Sequence, residues 1–328
     1  MERNKISVIV PIYKVEAFIE RCVVSLMEQT LDSVEYLFVD DASPDNSVRI
    51  LQEVINRYPN RLSQVKIITH SENEGLPAAR NTGLAKASGE YIFHCDSDDF
   101  VELDMLEKLY NKAKEIDADI VWCDFFLTFE KNERYMKQPN FETSMDALKA
   151  MLSGAMKYNV WNKLVKRSLY TDNKIAFPAG YGMGEDMTMM MLYANAQTVA
   201  YIPRAFYHYV KLNIGAFSQT YSERHLVELK HNVERVTNYI QDIVGDKLEQ
   251  ELAFFKLDVK FPFLITDDVR KYRMWREWYP EADKYIGQNK KISARSQALQ
   301  WLASKGQFWA VRLYYILIYK LIYGVIYK

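Results

Sequence analysis

The stretch Tyr91–Phe100, YIFHCDSDDF, joins an apolar run to Asp96, Asp98 and Asp99, three carboxylates within four residues. Aromatic and β-branched residues such as those in YIF are typical of a buried strand. Like charges this close repel one another, so their position at a strand end needs a reason. The stretch predicts a strand that ends at a crevice where these acids act together.

The alternation of apolar runs and helical patterns extends from residue 5 to about residue 129. Continuous apolar strands separated by helices predict an α/β fold, with a parallel sheet that helices cover on both faces. Apolar residues between Val15 and Met27 recur at the i, i+3, i+4, i+7 spacing of one buried helical stripe. The predicted strands are ISVIVPIY, VEYLFVDD, VKIITH, GEYIFHCD and DIVWCDFF.

Acidic residues close two of these predicted strands. Asp40 and Asp41 end the second strand, and Asp96, Asp98 and Asp99 end the fourth. In an open α/β sheet, ligands bind in the crevice outside the carboxyl ends of the strands. We therefore expect the two acidic groups to converge on one site.

The composition limits the class of protein. The chain has 328 residues, of which 49% are hydrophobic, and this is enough for one main domain and an appendage. The formal net charge of -1 hides an asymmetry: eight basic and no acidic residues follow Asp283, so this tail carries about +8 and the rest about -9. An acidic front domain makes nucleic acid an unfavourable partner.

The cysteines and the first residues indicate a cytoplasmic protein. Cys22, Cys95 and Cys123 lie in apolar surroundings without paired spacing, which indicates neither a disulfide framework nor a zinc site. Met1 precedes the first predicted strand by five residues, too few for a signal peptide.

A phosphate ligand in the predicted crevice needs a metal ion or cationic side chains. A dinucleotide site or a P-loop places glycines directly after the first strand, but the first glycine of this chain is Gly75. Mg²⁺ takes one or two carboxylates together with substrate phosphates and water, and a short Asp-x-Asp segment supplies such an incomplete shell.

Several ordered motifs carry a family resemblance over about residues 5 to 210. They are SVIVPIYKVEAFIERCVVSLMEQTL, VEYLFVDDASPDNS, NEGLPAARNTGLAKASGEYIFHCDSDDF, WNKLVKRS and GEDMTMMM. Together they resemble the family 2 glycosyltransferases of the GT-A fold. The resemblance implies inverting transfer of a sugar from a nucleotide diphosphate donor, a UDP-sugar in most members, with Mg²⁺ or Mn²⁺ as the cofactor.

The resemblance also implies a set of nucleotide-sugar-binding residues. In this reading Asp41 accepts a hydrogen bond from the uracil imide, Asp96 contacts the ribose, and Asp98 binds the metal that bridges the diphosphate. The full set is Pro11, Tyr13, Asp41, Arg80, Asp96, Ser97 and Asp98. A structural alternative for Asp41 is turn chemistry with Ser43 and Asp45 before a helix, and for Asp96 and Asp98 it is a solvated acidic loop.

Asp186 in GEDMT matches the family's catalytic base. Its position before a predicted helix places the carboxylate at a helix N-terminus, where the dipole is expected to stabilise the ionised form. Trp161, Lys163 and Glu185 are expected on the acceptor or donor-sugar side. The alternatives are a helix start capped by Glu185 and Asp186, and a strand that Trp161 and Lys163 hold in place.

His208 in YHYV is a candidate third metal ligand beside Asp98. A lone histidine among aromatic residues is more often packed and satisfied by hydrogen bonds, and that alternative stays open.

The predicted domains are a catalytic domain, 1–218, and a helical region, 219–328. Within the first, residues 1 to about 130 form the nucleotide-binding part and about 131–218 the acceptor part. The last segment, FWAVRLYYILIYKLIYGVIYK, is apolar, rich in tyrosine and basic. Lys320 near its middle disfavours a membrane span, whereas an interfacial helix keeps its cations near anionic lipid. We expect peripheral attachment to the inner face of the cell membrane, with packing on protein as the alternative.

Membrane attachment suits an acceptor carried on a lipid or a glycan. Family-level resemblance places such a reaction in bacterial surface polysaccharide or lipopolysaccharide synthesis. The competing hypotheses are an inactive relative that only binds a nucleotide sugar, a nucleotidyltransferase with a similar sheet, and a glycoside hydrolase, which also uses paired acids.

Overall fold

The computed structural model describes residues 4–212 and 222–320. By contacts between residues, this described chain divides into two compact units, one within 1–147 and 158–240 and one within 148–157 and 241–328. The first unit contains the sheet. The second contains helices of the later chain.

Nine strands form one sheet in the first unit. Their bounds are β1 Ile6–Ile12, β2 Val34–Asp40, β3 Val65–Thr69, β4 Tyr91–His94, β5 Phe100–Val101, β6 Ile120–Thr128, β7 Glu133–Met136, β8 Lys163–Lys166 and β9 Val199–Val210. The order in the sheet is β3-β2-β1-β4-β8-β6-β9-β5, and β7 pairs with β6.

Twelve α-helices lie in the described ranges. Their bounds are α1 Ile19–Met27, α2 Ser47–Ile55, α3 Leu76–Lys86, α4 Met105–Ile116, α5 Ser144–Leu152, α6 Arg167–Asp172, α7 Thr188–Asn195, α8 Glu223–Val244, α9 Glu249–Lys260, α10 Val269–Glu277, α11 Ala294–Ser304 and α12 Phe308–Tyr315. Short 3-10 turns join several of them, including Glu185–Met187 directly before α7.

Each predicted strand has a counterpart in the sheet, and the α/β fold is confirmed. All seven residues of β1 and all seven of β2 are buried, as expected for strands covered on both faces. The edge strand β3 has partly or fully exposed residues throughout. The apolar stripe of α1 is buried at Cys22, Val23, Leu26 and Met27.

The sheet is mixed, but the five predicted strands, β1 to β4 and β6, all run in the same direction, as predicted for residues 5 to about 129. The strands of opposite direction, β5, β7 and β8, are not among them. β1 pairs in parallel with β2 and β4, but β8 pairs antiparallel with both β4 and β6. β9 then lies parallel to β6 and antiparallel to the short β5. The direction of β8 depends on the path of the chain between β6 and β8, which the residues of the strand do not encode.

The parallel half positions the predicted crevice. β1, β2 and β4 run in the same direction, and their carboxyl ends lie at the same edge of the sheet. Ile12 is paired with Asp40 across β1 and β2, and Ile9 with His94 across β1 and β4. Asp41 and Asp96 therefore leave the sheet at that common edge.

From residue 222 onwards the described chain consists of helices joined by turns and contains no strand, as predicted. Among the described residues, no helix has both the length and the apolar character that a membrane crossing requires. The last eight residues of the predicted tail segment, 321–328, lie outside the described residues.

Candidate functional site

The three acids that follow β4 have different surroundings. The Asp96 carboxylate accepts a hydrogen bond from Arg80 at 2.9 Å between Nη2 and Oδ1. Asp99 is fully buried, and its two oxygens accept hydrogen bonds from the Tyr207 hydroxyl at 2.7 Å and from the Val210 amide at 2.7 Å. Burial raises the pKa of Asp99 well above its usual range, and the charges of Asp98 and Asp96 raise it further. Asp99 is therefore a structural residue that ties the strand end to β9.

Asp96 and Asp98 remain partly exposed at the strand end, and Ser97 between them is buried. The Asp96 amide donates to the Tyr207 hydroxyl at 3.1 Å, so the same tyrosine hydrogen-bonds to both ends of the acidic segment. This arrangement fixes the backbone on which Asp98 is carried.

Arg80 is the central cation of the site. It lies on α3 and is 1% exposed. Its Nη2 atom is 2.9 Å from Asp96 Oδ1 and 3.6 Å from Glu185 Oε1. Burial opposes the charge of Arg80, but Asp96, Glu185 and Asp186 together raise its pKa above the usual value. The structure thus brings Arg80, Asp96, Glu185 and Asp186 into one group around the buried guanidinium, with Asp96 at its partly exposed side.

Burial raises the pKa of both carboxyl groups in the Glu185–Asp186 pair. For Asp186 burial is the largest effect and the Arg80 charge opposes it, giving a pKa of about 6. For Glu185 burial and the Asp186 charge raise the pKa to about 8. The predicted influence of a helix dipole does not dominate at Asp186, because burial outweighs the charges that favour its ionised form.

Lys163 is a second buried cation near the pair. It is 1% exposed, and its Nζ atom donates to Asn159 O at 2.6 Å and to Asn162 Oδ1 at 2.8 Å. Burial lowers the pKa of Lys163 to about 7, while the Asp186 charge raises it. Lys163 therefore contributes to the electrostatics of Asp186, and its expected position on the acceptor or donor-sugar side stays a prediction.

Trp161 is 5% exposed and stacks on Tyr207 at 4.5 Å between ring centroids. It also lies edge-on to Phe125 at 4.8 Å. Trp161 thus packs against the tyrosine that holds Asp96 and Asp99. This packing agrees with the structural alternative for Trp161, in which it holds a strand in place. A role toward the acceptor or the donor sugar stays a prediction.

The loop that carries Glu185 and Asp186 is held by α8. Glu228 accepts a hydrogen bond from the Met183 amide at 3.0 Å. Asn232 is fully buried and donates from Nδ2 to the carbonyls of Tyr181 at 2.9 Å and Met183 at 3.0 Å. The sequence predicts α8 as part of the C-terminal helical region. Its helical pattern gives no indication of the hydrogen bonds to the loop before Glu185, so this support is not predicted.

The Asp41 carboxylate organises the loop between β3 and α3. It accepts four hydrogen bonds: from His70 Nδ1, Asn73 Nδ2, and the amides of Glu74 and Gly75, at 2.8, 3.0, 2.8 and 2.8 Å. An ionised carboxylate offers about four acceptor positions. A hydrogen bond from a nucleotide base to Asp41 therefore has to replace one of these contacts.

Pro11 and Tyr13 lie beside this loop at the end of β1. Pro11 is buried, whereas Tyr13 is 41% exposed and Lys14 lies over its ring at 5.1 Å. The Lys14 amide donates to Ser43 Oγ at 2.8 Å, which joins this turn to the end of β2. An exposed aromatic ring at the carboxyl edge of the sheet offers a flat surface for stacking.

His208 has two carboxylate partners. Its Nδ1 atom is 2.7 Å from Glu133 and its Nε2 atom 2.9 Å from Glu102. The ring stacks between Phe100 at 4.1 Å and Phe126 at 4.8 Å. Metal-binding histidines use one nitrogen for the metal and the other for a second partner. For His208 to bind a metal, one of these two carboxylates has to leave, so this prediction has no support in the arrangement.

The donor chemistry at the strand end fits a hard divalent cation. The described residues contain no group of three or more His, Cys, Asp or Glu arranged to hold a metal ion. Asp96 and Asp98 supply carboxylate oxygens, which Mg²⁺ and Mn²⁺ prefer. Two carboxylates are an incomplete shell, as expected where phosphate oxygens and water supply the other ligands.

Comparisons with known proteins agree with this fold. The family model Glycosyl transferase family 2 matches residues 7–186. EpsH of Bacillus subtilis (strain 168) is 31% identical over 232 residues, which covers 68% of this chain and 65% of EpsH, less than two thirds of that protein. The cholesterol galactosyltransferase of Borreliella burgdorferi is 30% identical over 327 residues, which covers 93% of this chain and 89% of that protein.

A solved structure shares the fold over nearly the whole chain. The crystal structure of S. aureus TarS 1-349 in complex with UDP matches with a TM-score of 0.71 and 20% identity, covering 95% of this chain and 91% of that one.

Proposed function

The chain belongs to glycosyl transferase family 2, and from this premise we propose that it is an inverting glycosyltransferase that uses a UDP-sugar. The proposed acceptor is a hydroxyl of a glycan or of a lipid-linked molecule. The proposed sugar is a hexose or an N-acetylhexosamine. We place the reaction in bacterial surface polysaccharide or lipopolysaccharide synthesis, in line with the family resemblance.

One observation carries the proposal: Asp96, Glu185 and Asp186 gather around the buried Arg80 at the carboxyl edge of the sheet. These residues come from two distant stretches of chain. A structural ion pair needs only two of them, whereas sugar transfer needs a donor-binding group and a separate base. The UDP in the TarS complex and the name of the galactosyltransferase relative favour a nucleotide sugar.

Asp186 is the proposed general base. It removes the proton from the acceptor hydroxyl as that oxygen attacks the anomeric carbon. Its pKa of about 6 leaves most of it ionised at neutral pH while keeping it basic enough to accept a proton. Attack from the face opposite the departing nucleotide inverts the anomeric configuration.

Glu185 and Arg80 support this base electrostatically. With a pKa of about 8, Glu185 is mostly protonated at neutral pH and adds little negative charge next to Asp186. Arg80 opposes the effect of burial on Asp186 and orients Asp96 through the 2.9 Å hydrogen bond. In this proposal Asp96 contacts the ribose, with Ser97 beside it, and Trp161, Lys163 and Glu185 lie toward the acceptor or the transferred sugar.

Asp98, with Asp96 beside it, is the proposed holder of Mg²⁺ or Mn²⁺. When bound, such a cation offsets the negative charge that develops on the departing UDP. The chain's own part is to hold Asp98 at a fixed strand end, which the Tyr207 contacts to Asp96 and Asp99 provide.

Tyr13, Pro11 and the loop anchored by Asp41 form the proposed base pocket. Tyr13 offers the exposed ring for stacking. Asp41 shapes the loop through its four hydrogen bonds, and in this proposal it exchanges one of them for the uracil imide.

The tail is the proposed membrane contact, on the inner face of the cell membrane. On α12 and just after it, Trp309 is 69% exposed, Leu313 48% and Leu317 46%. Arg312 lies among them, and a helix with exposed aromatic and basic residues suits the interface of an anionic bilayer. A lipid-linked acceptor then lies in the same membrane.

Binding of UDP tests the donor side. We expect Mn²⁺ to strengthen UDP binding by wild-type protein in isothermal titration calorimetry, and Asp98→Ala to remove that gain. Asp172→Asn, a change of an exposed acid on α6, is the matched control and should bind as wild type does. If Mn²⁺ does not strengthen UDP binding and Asp98→Ala does not change it, the assignment of Asp98 to metal binding is wrong.

Product analysis tests the reaction. Incubation with candidate UDP-sugars and an acceptor should release UDP and give a product of inverted anomeric configuration by NMR. Release of pyrophosphate instead identifies a nucleotidyltransferase, and a product of retained configuration contradicts the role given to Asp186.

A further inference from the structure

Three buried side chains near Arg80 have no part in the proposed reaction: His94, Tyr170 and Phe177. Together with Arg80 they are here termed the rear cluster. Exposures are 1% for Arg80, 2% for His94, 2% for Tyr170 and 3% for Phe177. His94 ends β4, Tyr170 lies on α6, and Phe177 follows that helix. Four separate parts of the chain thus meet in a solvent-excluded place.

Phe177 is the common contact of the rear cluster. Its ring centroid lies 5.0 Å from that of His94 and 6.3 Å from that of Tyr170. The Arg80 guanidinium carbon lies 5.7 Å from the same centroid. His94 and Tyr170 are also neighbours, with centroids 6.3 Å apart. The polar groups of these residues therefore surround one aromatic ring.

Asn81 fixes Phe177 to the helix that carries Arg80. The Phe177 amide donates to Asn81 Oδ1 at 2.8 Å, and Asn81 Nδ2 donates to the Phe177 carbonyl at 2.8 Å. Because Asn81 is the neighbour of Arg80 on α3, this reciprocal pair locks the position of Phe177 relative to Arg80.

Five polar atoms of the rear cluster have no hydrogen-bond partner among residues 4–212 and 222–320. They are Nε and Nη1 of Arg80, both ring nitrogens of His94, and the Tyr170 hydroxyl. Arg80 Nη2 differs, since it is paired with Asp96. A buried polar group left without a partner is strongly unfavourable, and buried polar groups in proteins are satisfied by protein or by ordered water.

The chemistry of these atoms suits water. Arg80 can only donate hydrogen bonds, so Nε and Nη1 need acceptors. The two ring nitrogens of His94 can each donate or accept a hydrogen bond, depending on the tautomer. The Tyr170 hydroxyl can both donate and accept a hydrogen bond. Water accepts from Arg80 and still donates to His94 or Tyr170, as buried waters with about three partners do.

We propose that internal water connects Arg80 to His94 and Tyr170, and that His94 and Tyr170 are positioning residues for the Arg80 guanidinium. Through this water they hold Arg80 from the side opposite Asp96 and Glu185. The guanidinium then keeps Nη2 directed at the two carboxylates. The inference rests on the proposed function, because it gives the Arg80–Asp96 pair a part in donor binding and transfer.

Tyr170→Phe tests the hydroxyl with little change in shape. We expect kcat to fall about threefold to tenfold, the loss of one net hydrogen bond, with thermal stability unchanged. Tyr193→Phe is the matched control, since the Tyr193 hydroxyl on α7 is also buried without a partner in the described part of the chain, and its ring packs on Trp122. It should keep wild-type kcat. Equal kcat in Tyr170→Phe and wild type overturns the role of Tyr170.

A pair of substitutions at His94 separates hydrogen bonding from packing. His94→Gln keeps a donor and an acceptor, whereas His94→Leu keeps only volume. We expect His94→Gln to retain most of the wild-type kcat and His94→Leu to lose about tenfold. If the two variants have equal kcat, His94 acts by packing alone and its positioning role is overturned.

A crystal structure of the wild-type protein tests the water independently of activity. Density for at least one water within hydrogen-bond distance of Arg80 Nε or Nη1 and of His94 or Tyr170 is the expected result. If the map shows no such water in the rear cluster, the inference is overturned. The proposed function is contradicted if the wild-type protein binds no UDP and transfers no sugar. The electron density shows independently of that result whether the water is present.

Discussion

Asp186 combines two properties that usually oppose each other. It is buried deeply enough for its pKa to rise to about 6, yet Arg80 and Lys163 supply positive charge that favours its ionised form. Its Oδ1 atom is buried and has no hydrogen-bond partner among the described residues. A carboxylate oxygen in this state is available to accept a proton.

Asp186→Asn should therefore lower the rate of transfer by about two to four orders of magnitude, the usual contribution of a general base. UDP binding should be unchanged, because the substitution keeps the shape and leaves the Arg80–Asp96 contact in place. Steady-state kinetics and calorimetric UDP titration measure the two effects.

The stability of the same variant provides an internal control. Burial disfavours the ionised form of Asp186 in the folded state, and its pKa is raised relative to the unfolded chain. At neutral pH the charge therefore opposes folding, and Asp186→Asn should have an equal or higher melting temperature. A variant that loses activity because it unfolds contradicts the assignment of a base.

The pH dependence of transfer follows from the same carboxylate. A general base works only when deprotonated, so kcat/KM should rise with pH through an apparent pKa near 6 and level off above it. A profile of kcat/KM against pH measures this. If the rate instead falls as pH increases from 5 to 7, an acid and not a base limits the reaction.

At the scale of elements, α8 holds in place the segment that carries Asp186, the proposed base. Asn232 donates to the carbonyls of Tyr181 and Met183, directly before Glu185 and Asp186. Arg235 on the same helix donates to Thr188 Oγ1 at 3.2 Å, at the start of α7. The helix thus fixes both ends of the short segment that contains the Glu185–Asp186 pair.

Asn232→Ala should displace this segment and lower kcat by about tenfold to a hundredfold, since small errors in the position of a catalytic group have effects of this size. Kinetics at saturating donor measure the loss. Asn195→Ala is the matched control, because Asn195 also makes two hydrogen bonds, to Met191 O and Tyr239, but none to residues 181–184. The control should lose stability without losing kcat.

The sequence predicted β1 to β4 and β6 because each is a mostly apolar run rich in β-branched and aromatic residues, and it predicted the acidic edge because parallel strands end together. The reversed direction of β8 was not predictable from its own residues. Nor were the four hydrogen bonds at Asp41 or the two carboxylates at His208, which join polar groups that are distant in the chain. Such pairs follow from the tertiary fold and leave no periodic signal.

At the scale of the whole molecule, the charge asymmetry agrees with the surface of α12. The last 45 residues carry no acidic group, and the described part of this segment exposes Trp309, Leu313 and Leu317. Two cations of the last 45 residues form ion pairs in the described structure: Lys284 contacts Glu249, and Lys320 contacts Asp267. This surface is where we expect an anionic bilayer to bind.

Replacing both Trp309 and Leu313 with Glu should weaken binding to phosphatidylglycerol vesicles by about tenfold or more, because two large apolar side chains no longer leave water. Vesicle co-sedimentation measures the binding. Val227→Glu is the matched control, since Val227 is 65% exposed on α8 in the first unit. It should bind vesicles like wild type, and all variants should bind UDP normally.

Deleting residues 306–328 should move the protein from the membrane fraction to the supernatant in cell lysates, with UDP affinity retained. If the deletion variant stays with the membrane, another part of the chain is responsible. If it no longer folds, the segment packs on protein, as the alternative interpretation holds.

The pairing of β5 with β9 has a consequence for biosynthesis. Asp99 leaves the ribosome more than a hundred residues before Tyr207 and Val210, which satisfy its carboxylate. Until β9 arrives, the nascent chain cannot bury that acid without a large penalty. The acidic end of β4 therefore stays hydrated until β9 has been synthesised and can pair with β5. Long-range pairing of this kind slows folding, and a ribosome stalled before residue 207 would hold a chain in which the acidic end of β4 lacks its partners from β9.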